Sequence, residues 1–423
     1  MSNFDLSVRF FLQIAFILTV CQGVGAVARR VGQPQVVAEM IAGVLMGPSL
    51  FGLLLPGAQA YMFPRESMGI LFAVAQVGLS LYMFMVGLEF DIELIRKRMR
   101  SALSISAAGI VVPFALGCVT AHFLSGDPEL FSEKSTRLEV MLFTGAAMGI
   151  TAFPMLARII DERGIAGTSL GTLALAAGSA DDAAAWCVLA LVLASFSGDP
   201  RYAVMAIGGG AGYALLMLTV GRRLFGLLGQ RVLREGRMSS SVLTVVLTLV
   251  MLGSWFTDFI GIYAVFGAFI MGASMPRGLF QKELERLVGS LVTTFFLPVF
   301  FVYSGLNTRV GLVNSLALWG LTALICLAAT LGKGVACWAA ARLNGVPPRE
   351  AVAIGTLMNA RGLMELILLN IGLERGIIRP TLFTIMVLMA ILTTLASTPV
   401  FNRVYPMGRL GGPAPEPMPD ALL

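Results

Sequence analysis

Thirteen stretches of this chain are apolar for long enough to cross a lipid bilayer, which excludes most folds before any motif is considered. A hydrocarbon core about 30 Å thick takes roughly 20 residues of helix at 1.5 Å per residue. The runs lie at about 8–28, 34–55, 67–88, 101–124, 138–159, 168–196, 202–224, 239–257, 260–276, 287–305, 312–341, 350–372 and 380–404. Backbone amides in hydrocarbon must bond within the protein, so spanning segments are helices or closed barrels. The ten-residue alternation of barrel strands is absent. The expected fold is therefore an all-α membrane protein with about 13 transmembrane helices. Only 13% of the 423 residues are charged, with mean hydropathy +0.85; a soluble domain carries about 25%.

The basic residues orient these helices. One set of alternate loops collects twenty of the thirty Lys and Arg, including Arg96, Lys97, Arg98 and Arg100, and Arg222, Arg223, Arg231, Arg234 and Arg237. The opposite set holds eight, and only Lys333 and Arg361 fall inside spans. The richer side faces the cytoplasm, which places the N-terminus outside and the C-terminus inside. This bias accounts for a pI near 9.3 without a nucleic-acid partner. The first run reads as a retained anchor. Residues 406–423 read as a short, proline-rich, disordered tail with no soluble regulatory domain. The cysteines Cys21, Cys118, Cys187, Cys326 and Cys337 lie in apolar runs without metal-ligand spacing, and read as small buried hydrophobes.

Two features suggest an internal repeat. The third run, GLSLYMFMVGLEFD (78–91), resembles the tenth, FLPVFFVYSGLNTRV (296–310), and both carry a glycine–leucine pair, Gly87-Leu88 and Gly305-Leu306. MIAGVLMG (40–47) and AFIMGASMP (268–276) pair more loosely. The offset is seven runs, so the second copy is inverted, as in secondary transporters with sites between the copies. By the same offset the fifth and twelfth runs correspond, and both are interrupted. The fifth contains TAFP (151–154) with Pro154 in mid-span, and the twelfth contains MNARGLMEL (358–366). Helix ends freed at such breaks can face an ion. GGGAG (208–212) reads as close helix packing.

Charge at membrane depth is the second constraint. Asp181 and Asp182 stand side by side in the sixth run, where each carboxylate costs about 2.5–3.5 kcal/mol on insertion scales. Neighbouring helical residues point about 100° apart, so one can face an ion pathway while the other meets a partner. Burial disfavours the charged form of a carboxylate, which lets protons and cations compete for one site near neutral pH. Lys333, deep in the eleventh run, needs a partner or must be neutral, and Asp181 is the natural one. Hydroxyls such as Thr151 and Ser179 and carbonyls at the breaks supply further oxygen ligands, and Arg361 and Glu365 balance the helix ends. Glu39 and Glu89 read as lining a cavity or interface, Asp258 as part of an external turn, and His122 as an external helix end.

These segments, with GQPQVVAEMIAGVLMGPSLFG (32–52), ITAFPMLARIIDERG (150–164), GKGVACWAAARL (332–343) and MNARGLMELILLNIGL (358–373), resemble the monovalent cation–proton antiporter family. The branch is that of bacterial sodium/proton antiporters and potassium/proton exchangers. The resemblance implies two discontinuous crossing helices and a dimer-forming panel (about 8–90 and 239–305). It also implies a moving core (about 101–196 and 312–404), joined to the panel by a linking helix (about 202–224), within a transmembrane domain 1–405. It implies that Asp182 is the main carboxylate for ion and proton, that Asp181 and Lys333 form a breakable pair, and that the two aspartates ligate the transported cation. Thr151, Ala152, Pro154, Ser179, Asn359, Arg361 and Glu365 support the site at the broken helices. The aspartate pair is similar to that of electrogenic members. Asn307, in SGLNTRV beside Arg309, departs from the basic residue many relatives place there.

The function expected is secondary active antiport of a monovalent cation, sodium or potassium, for protons across a bacterial inner membrane. The expected partners are the ions, membrane lipid and a second copy of the chain. No enzyme constellation, nucleotide fingerprint or cofactor motif appears, so neither catalysis nor a cofactor is expected. The alternatives are an electroneutral potassium/proton exchanger and a cation channel; a channel needs a continuous pore, which the inverted repeat disfavours. An organic-anion symporter is disfavoured by the paired aspartates.

Overall fold

A computed structural model describes residues 2–33, 35–89, 99–165, 168–196, 200–260 and 264–405; for some helical residues, Pro154, Ser179, Asp182 and Cys187 among them, it describes only the backbone. The basic residues 96–98 and the tail 406–423 lie outside it. Among the described residues the chain is helical, apart from one isolated bridge between Phe131 and Ile378. The first elements are α1 (Asn3–Arg30), α2 (Gln35–Met46), α3 (Arg65–Glu89) and α4 (Met99–Leu124). The fifth run is divided into α5 (Arg137–Gly149) and α6 (Phe153–Glu162), and the sixth is α7 (Ser169–Phe196). Then come α8 (Pro200–Leu216), α9 (Arg222–Glu235), α10 (Ser240–Phe259), α11 (Ala264–Ser274), α12 (Leu279–Leu284) and α13 (Leu297–Leu306). The last are α14 (Leu316–Leu343), the divided pair α15 (Pro348–Leu357) and α16 (Leu363–Glu374), and α17 (Pro380–Val404).

Helices lie over every apolar run, but nine described stretches qualify as spanning by length and composition. The shortfall from thirteen has a physical reason in the divided helices. The halves α5, α6, α15 and α16 have 13, 10, 10 and 12 residues, and none reaches the roughly 20 needed alone. The 11-residue α11 is also short, and the 28-residue α7 is described in full only over its first part.

Three local expectations change. Asp258 belongs to the last turn of α10 and not to a turn between helices. In the glycine run Gly209 packs against Ile260, whereas Gly208 and Gly212 have open space around them. The seventh run is longer than its apolar part: α8 continues through a π-helical turn, Met217–Gly221, into the arginine-rich α9.

The bundle is apolar outside as well as inside. Phe123, Leu316 and Leu343 are among the most exposed side chains, as lipid-facing residues should be. The most apolar stretch of α17 is 78% buried and that of α8–α9 only 17%, so α17 runs through the interior and α8–α9 along the periphery. One set of helices packs around α4 and α14: α4 touches α5, α7 and α14, while α14 touches α15 and α17. In the other set, α3 packs on α11 and α13, α13 on α2, and α11 on α10.

The matching glycines make matching contacts in this second set. A Cβ at Gly87 on α3 would strike the Phe269 carbonyl on α11, and one at Gly305 on α13 would strike the backbone of Gly43 on α2. Each copy's glycine therefore lets it approach the other copy at backbone distance.

Candidate ion-binding site

The first break is fixed from both sides. Thr136 and Glu139 form a capping box that starts α5, and Ile150 leaves helical geometry after Gly149. Pro154 then falls in the first turn of α6, where its missing N–H costs little. Its role is to start a second helix and not to kink a continuous one. In the second break Pro347 and Pro348 start α15, Met358 caps it, and the chain is non-helical until α16 begins at Leu363.

The breaks touch. Ala152 N donates to Ala360 O at 3.0 Å, and Thr151 Oγ1 donates to Met358 O at 3.4 Å. Thr394 on α17 pins the second break by accepting from Arg361 N at 2.9 Å and donating to Arg361 O at 2.8 Å.

Charged side chains converge beside this crossing. Lys333 Nζ lies 3.0 Å from Asp181 Oδ2, and both residues are 0% exposed. Lys333 also donates to the carbonyl of Gly149, the last residue of α5. Ser106 Oγ on α4 donates to Asp181 Oδ1 at 3.3 Å. Arg361 donates from Nη1 to Ala147 O at 3.3 Å and from Nη2 to Met148 O at 2.8 Å. It also pairs with Glu365 Oε2 at 3.4 Å. Both cations thus sit on the negative end of α5, while Glu365 stands in the first turn of α16, a positive end.

Of the residues expected from the sequence, the structure brings together Asp181, Lys333, Thr151, Ala152, Asn359, Arg361 and Glu365. The side chains of Asp182, Ser179 and Pro154 lie outside those described. Ser106 and Thr394 carry no signal in the sequence; of the carbonyls expected at the breaks, those of Ala147, Met148 and Gly149 at the end of α5 accept from Arg361 and Lys333, and which carbonyls these are is not readable from the sequence. A serine or threonine in an apolar helix is ordinary, and a backbone carbonyl leaves no mark in the sequence.

Glu39 is buried away from this site beside Gln35, whose Nε2 reaches Glu39 Oε1 at 3.1 Å. His122 meets Arg137 at 3.0 Å among exposed groups. Among the described residues no three His, Cys, Asp or Glu are grouped as metal ligands.

Two broken helices meeting beside a buried charge pair, with the two similar glycine–leucine segments each packed at backbone distance on a helix of the other half, define a membrane transporter of the broken-helix class. The chain belongs to the transmembrane sodium/hydrogen exchanger family, whose model matches residues 14–403. It is 40% identical to the Na(+)/H(+) antiporter NhaS4 of Synechocystis, over 93% of this chain and 96% of that protein. It is 37% identical to Cation/H(+) antiporter 19 of Arabidopsis thaliana, over 95% of this chain but 50% of that longer protein. The sodium proton antiporter MjNhaP1 of Methanocaldococcus jannaschii has the same fold, with TM-score 0.66 at 16% identity over 94% of this chain and 96% of that one.

Proposed function

We infer that this chain is a secondary active antiporter that exchanges a monovalent cation for protons. The observation that carries the reading is the Asp181–Lys333 pair, 3.0 Å apart and sealed from solvent, beside the crossing of two interrupted helices. A charge pair at that depth is costly to keep, and ion exchange supplies a reason to keep it. Sodium is the proposed cargo, because the Synechocystis relative carries that ion in its name; potassium is the alternative.

Asp182 is proposed to bind cation and proton in turn. When the cation arrives from the cytoplasm, Asp182 gives up its proton and Asp181 turns toward the cation. Lys333, left without its counter-ion, gives up a second proton, and its neutral amine can still donate to the Gly149 carbonyl. The loaded site then faces outward, releases the cation and takes up two protons, one on Asp182 and one on Lys333. One net positive charge moves inward per cycle, so the membrane potential contributes about 2.3 kcal/mol per 100 mV. Thr151, Ala152, Pro154, Ser179, Asn359, Arg361 and Glu365 are proposed to hold the broken helices in register around this chemistry.

The motion proposed is a core of α4–α7 and α14–α17 sliding against a panel of α1–α3 and α10–α13, with α8–α9 linking them. The chain is proposed to cross a bacterial inner membrane thirteen times, N-terminus outside and C-terminus inside, and to pair through its panel as a homodimer. The test is reconstitution in vesicles with an internal pH dye, scanning lithium, sodium and potassium at several pH values. Saturable alkalinisation of the lumen on adding external cation is expected. Proton flux that ignores every cation would overturn the reading.

A further inference from the structure

The loop between α4 and α5 and the loop between α16 and α17 are stitched together where α5 begins and α16 ends. Phe131 and Ile378 form the one bridge among the described residues, Arg379 N donates to Leu130 O at 2.9 Å, and Ser132 N donates to Ile377 O at 3.3 Å. Beside these contacts, away from the crossing, lies a cavity of about 880 Å³. A pocket of that size takes a small-molecule ligand. Its wall carries Lys134 and Ser135 from the first loop, Glu139 from α5, Glu374 from the end of α16, and Arg375 and Arg379 from the second loop.

The cations here run against the charge bias of the chain. Of the eight basic residues on the sparser side, four fall in or beside these two loops: Lys134, Arg137, Arg375 and Arg379. Basic residues on that side oppose the positive-inside bias, so their clustering calls for a cause. Pairing within the protein is not the cause. Arg137 meets the ring and the carbonyl of His122. Among the described residues the side chains of Lys134, Arg375 and Arg379 make no hydrogen bond or ion pair. The carboxylates are divided. Glu139 accepts from the Thr136 amide in the cap of α5 at 2.7 Å, whereas Glu374 pairs with none of the cations on the same wall. The cavity thus presents three uncommitted positive groups and one uncommitted negative group.

That pattern selects a ligand. Guanidinium groups match oxyanions with paired donors, and Lys adds a mobile point charge for phosphate. A plain phosphate would also face Glu374, which repels it. A phosphate tethered to an ammonium satisfies both signs at once. The lipid is close by, since Phe123 at the end of α4 and Leu138 in the first turn of α5 are exposed apolar side chains.

We propose that this cavity binds a phosphate group carrying a tethered ammonium, as in a phosphoethanolamine headgroup. Lys134, Arg375 and Arg379 hold the phosphate, and Glu374 holds the ammonium. The group comes from a lipid of the adjoining leaflet or is free in solution. Once bound, it braces the start of α5 against the end of α16 and the start of α17, at the far ends of the two half-helices from their crossing. The site uses none of the residues assigned to cation or proton, so it stands or falls apart from the exchange reading.

The test follows melting of the purified protein in detergent, at fixed sodium, against four probes: O-phosphoethanolamine, dioctanoyl phosphatidylethanolamine, dioctanoyl phosphatidylglycerol and inorganic phosphate. A ligand of the folded state raises the melting temperature. Wild type is expected to respond saturably to an ethanolamine probe. Response to the lipid alone assigns the membrane as source, and response to the soluble probe alone assigns solution; response to both means that the headgroup suffices. Phosphatidylglycerol and inorganic phosphate, without the ammonium, should need about tenfold more for half-saturation. In the combined variant Lys134→Gln, Arg375→Gln, Arg379→Gln, half-saturation by the ethanolamine probe should also need at least about tenfold more. Glu374→Gln should abolish the preference for phosphatidylethanolamine over phosphatidylglycerol.

The four side chains are exposed, so the variants should melt near wild type without probe. If the combined variant does not fold, Arg375→Gln with Arg379→Gln decides by the same tenfold criterion. No saturable response of wild type to either ethanolamine probe overturns the proposal, as does a variant that responds as wild type does. Phosphatidylglycerol binding as tightly as phosphatidylethanolamine overturns the role of Glu374 and with it the tethered ammonium.

Discussion

At the scale of single residues, the Asp181–Lys333 pair is sealed from water, so neither partner can be removed cheaply. Breaking a buried pair from one side typically costs about 3–5 kcal/mol, because the surviving charge has no solvent to turn to. Lys333→Gln should therefore lower the melting temperature of the purified protein, and adding Asp181→Asn should restore much of the loss. A double variant as unstable as the single one would mean that the two side chains do not act as a pair. Asp182→Asn tests the other carboxylate: exchange in reconstituted vesicles should fall to background while melting stays near wild type. Undiminished exchange would remove Asp182 from its assigned role. Charged residues at this depth were legible in the sequence because each is expensive there and needs a reason. Their helpers were not. Ser106 is one hydroxyl among many, and nothing in the sequence says that it reaches Asp181 across 3.3 Å.

At the scale of elements, the breaks matter more than the helices. Thr394 satisfies both the N–H and the C=O of Arg361, inside the interruption, from a neighbouring helix. Thr394→Val keeps the shape and leaves two buried backbone groups without that partner, at about 1–3 kcal/mol each. It should melt well below wild type, while Thr394→Ser stays close. Equal melting of all three would show that the break is held elsewhere. The paired glycines give a symmetric test. Gly87→Val and Gly305→Val each push a side chain into the backbone of the opposite copy, and overpacking of that kind costs about 1–3 kcal/mol. Comparable losses in melting are expected from the two; a silent variant at either position would undo the equivalence of the copies. The interruption of the fifth and twelfth runs was readable from Pro154 and from the polar stretch at Asn359–Gly362, since both oppose a continuous apolar helix. What those interruptions touch was not readable. The contact of Ala152 with Ala360, and the placing of Arg361 on α5 while Glu365 stands at the start of α16, depend on how distant segments cross in space.

At the scale of the whole molecule, the coupling ratio links one lysine to the energetics of the membrane. If Asp182 and Lys333 each carry a proton, two protons return for every cation that leaves. With the voltage held at zero, flux then stops where the cation ratio equals the square of the proton ratio. A tenfold proton gradient should thus hold about a hundredfold cation gradient, since each tenfold step is worth about 1.4 kcal/mol per ion. If the lysine carries no proton, the same pH step holds only about a tenfold cation gradient. The experiment fixes a one-unit pH difference across voltage-clamped vesicles and varies the sodium ratio until the dye signal changes sign. Wild type should reverse near the higher ratio and Lys333→Gln, if it transports, near the lower. Reversal of wild type at the tenfold ratio would make the Lys333–Asp181 contact a fixed strut between α14 and α7, and leave the second proton without a carrier. The two outcomes differ by a full decade in concentration, and the answer does not depend on how fast either protein turns over.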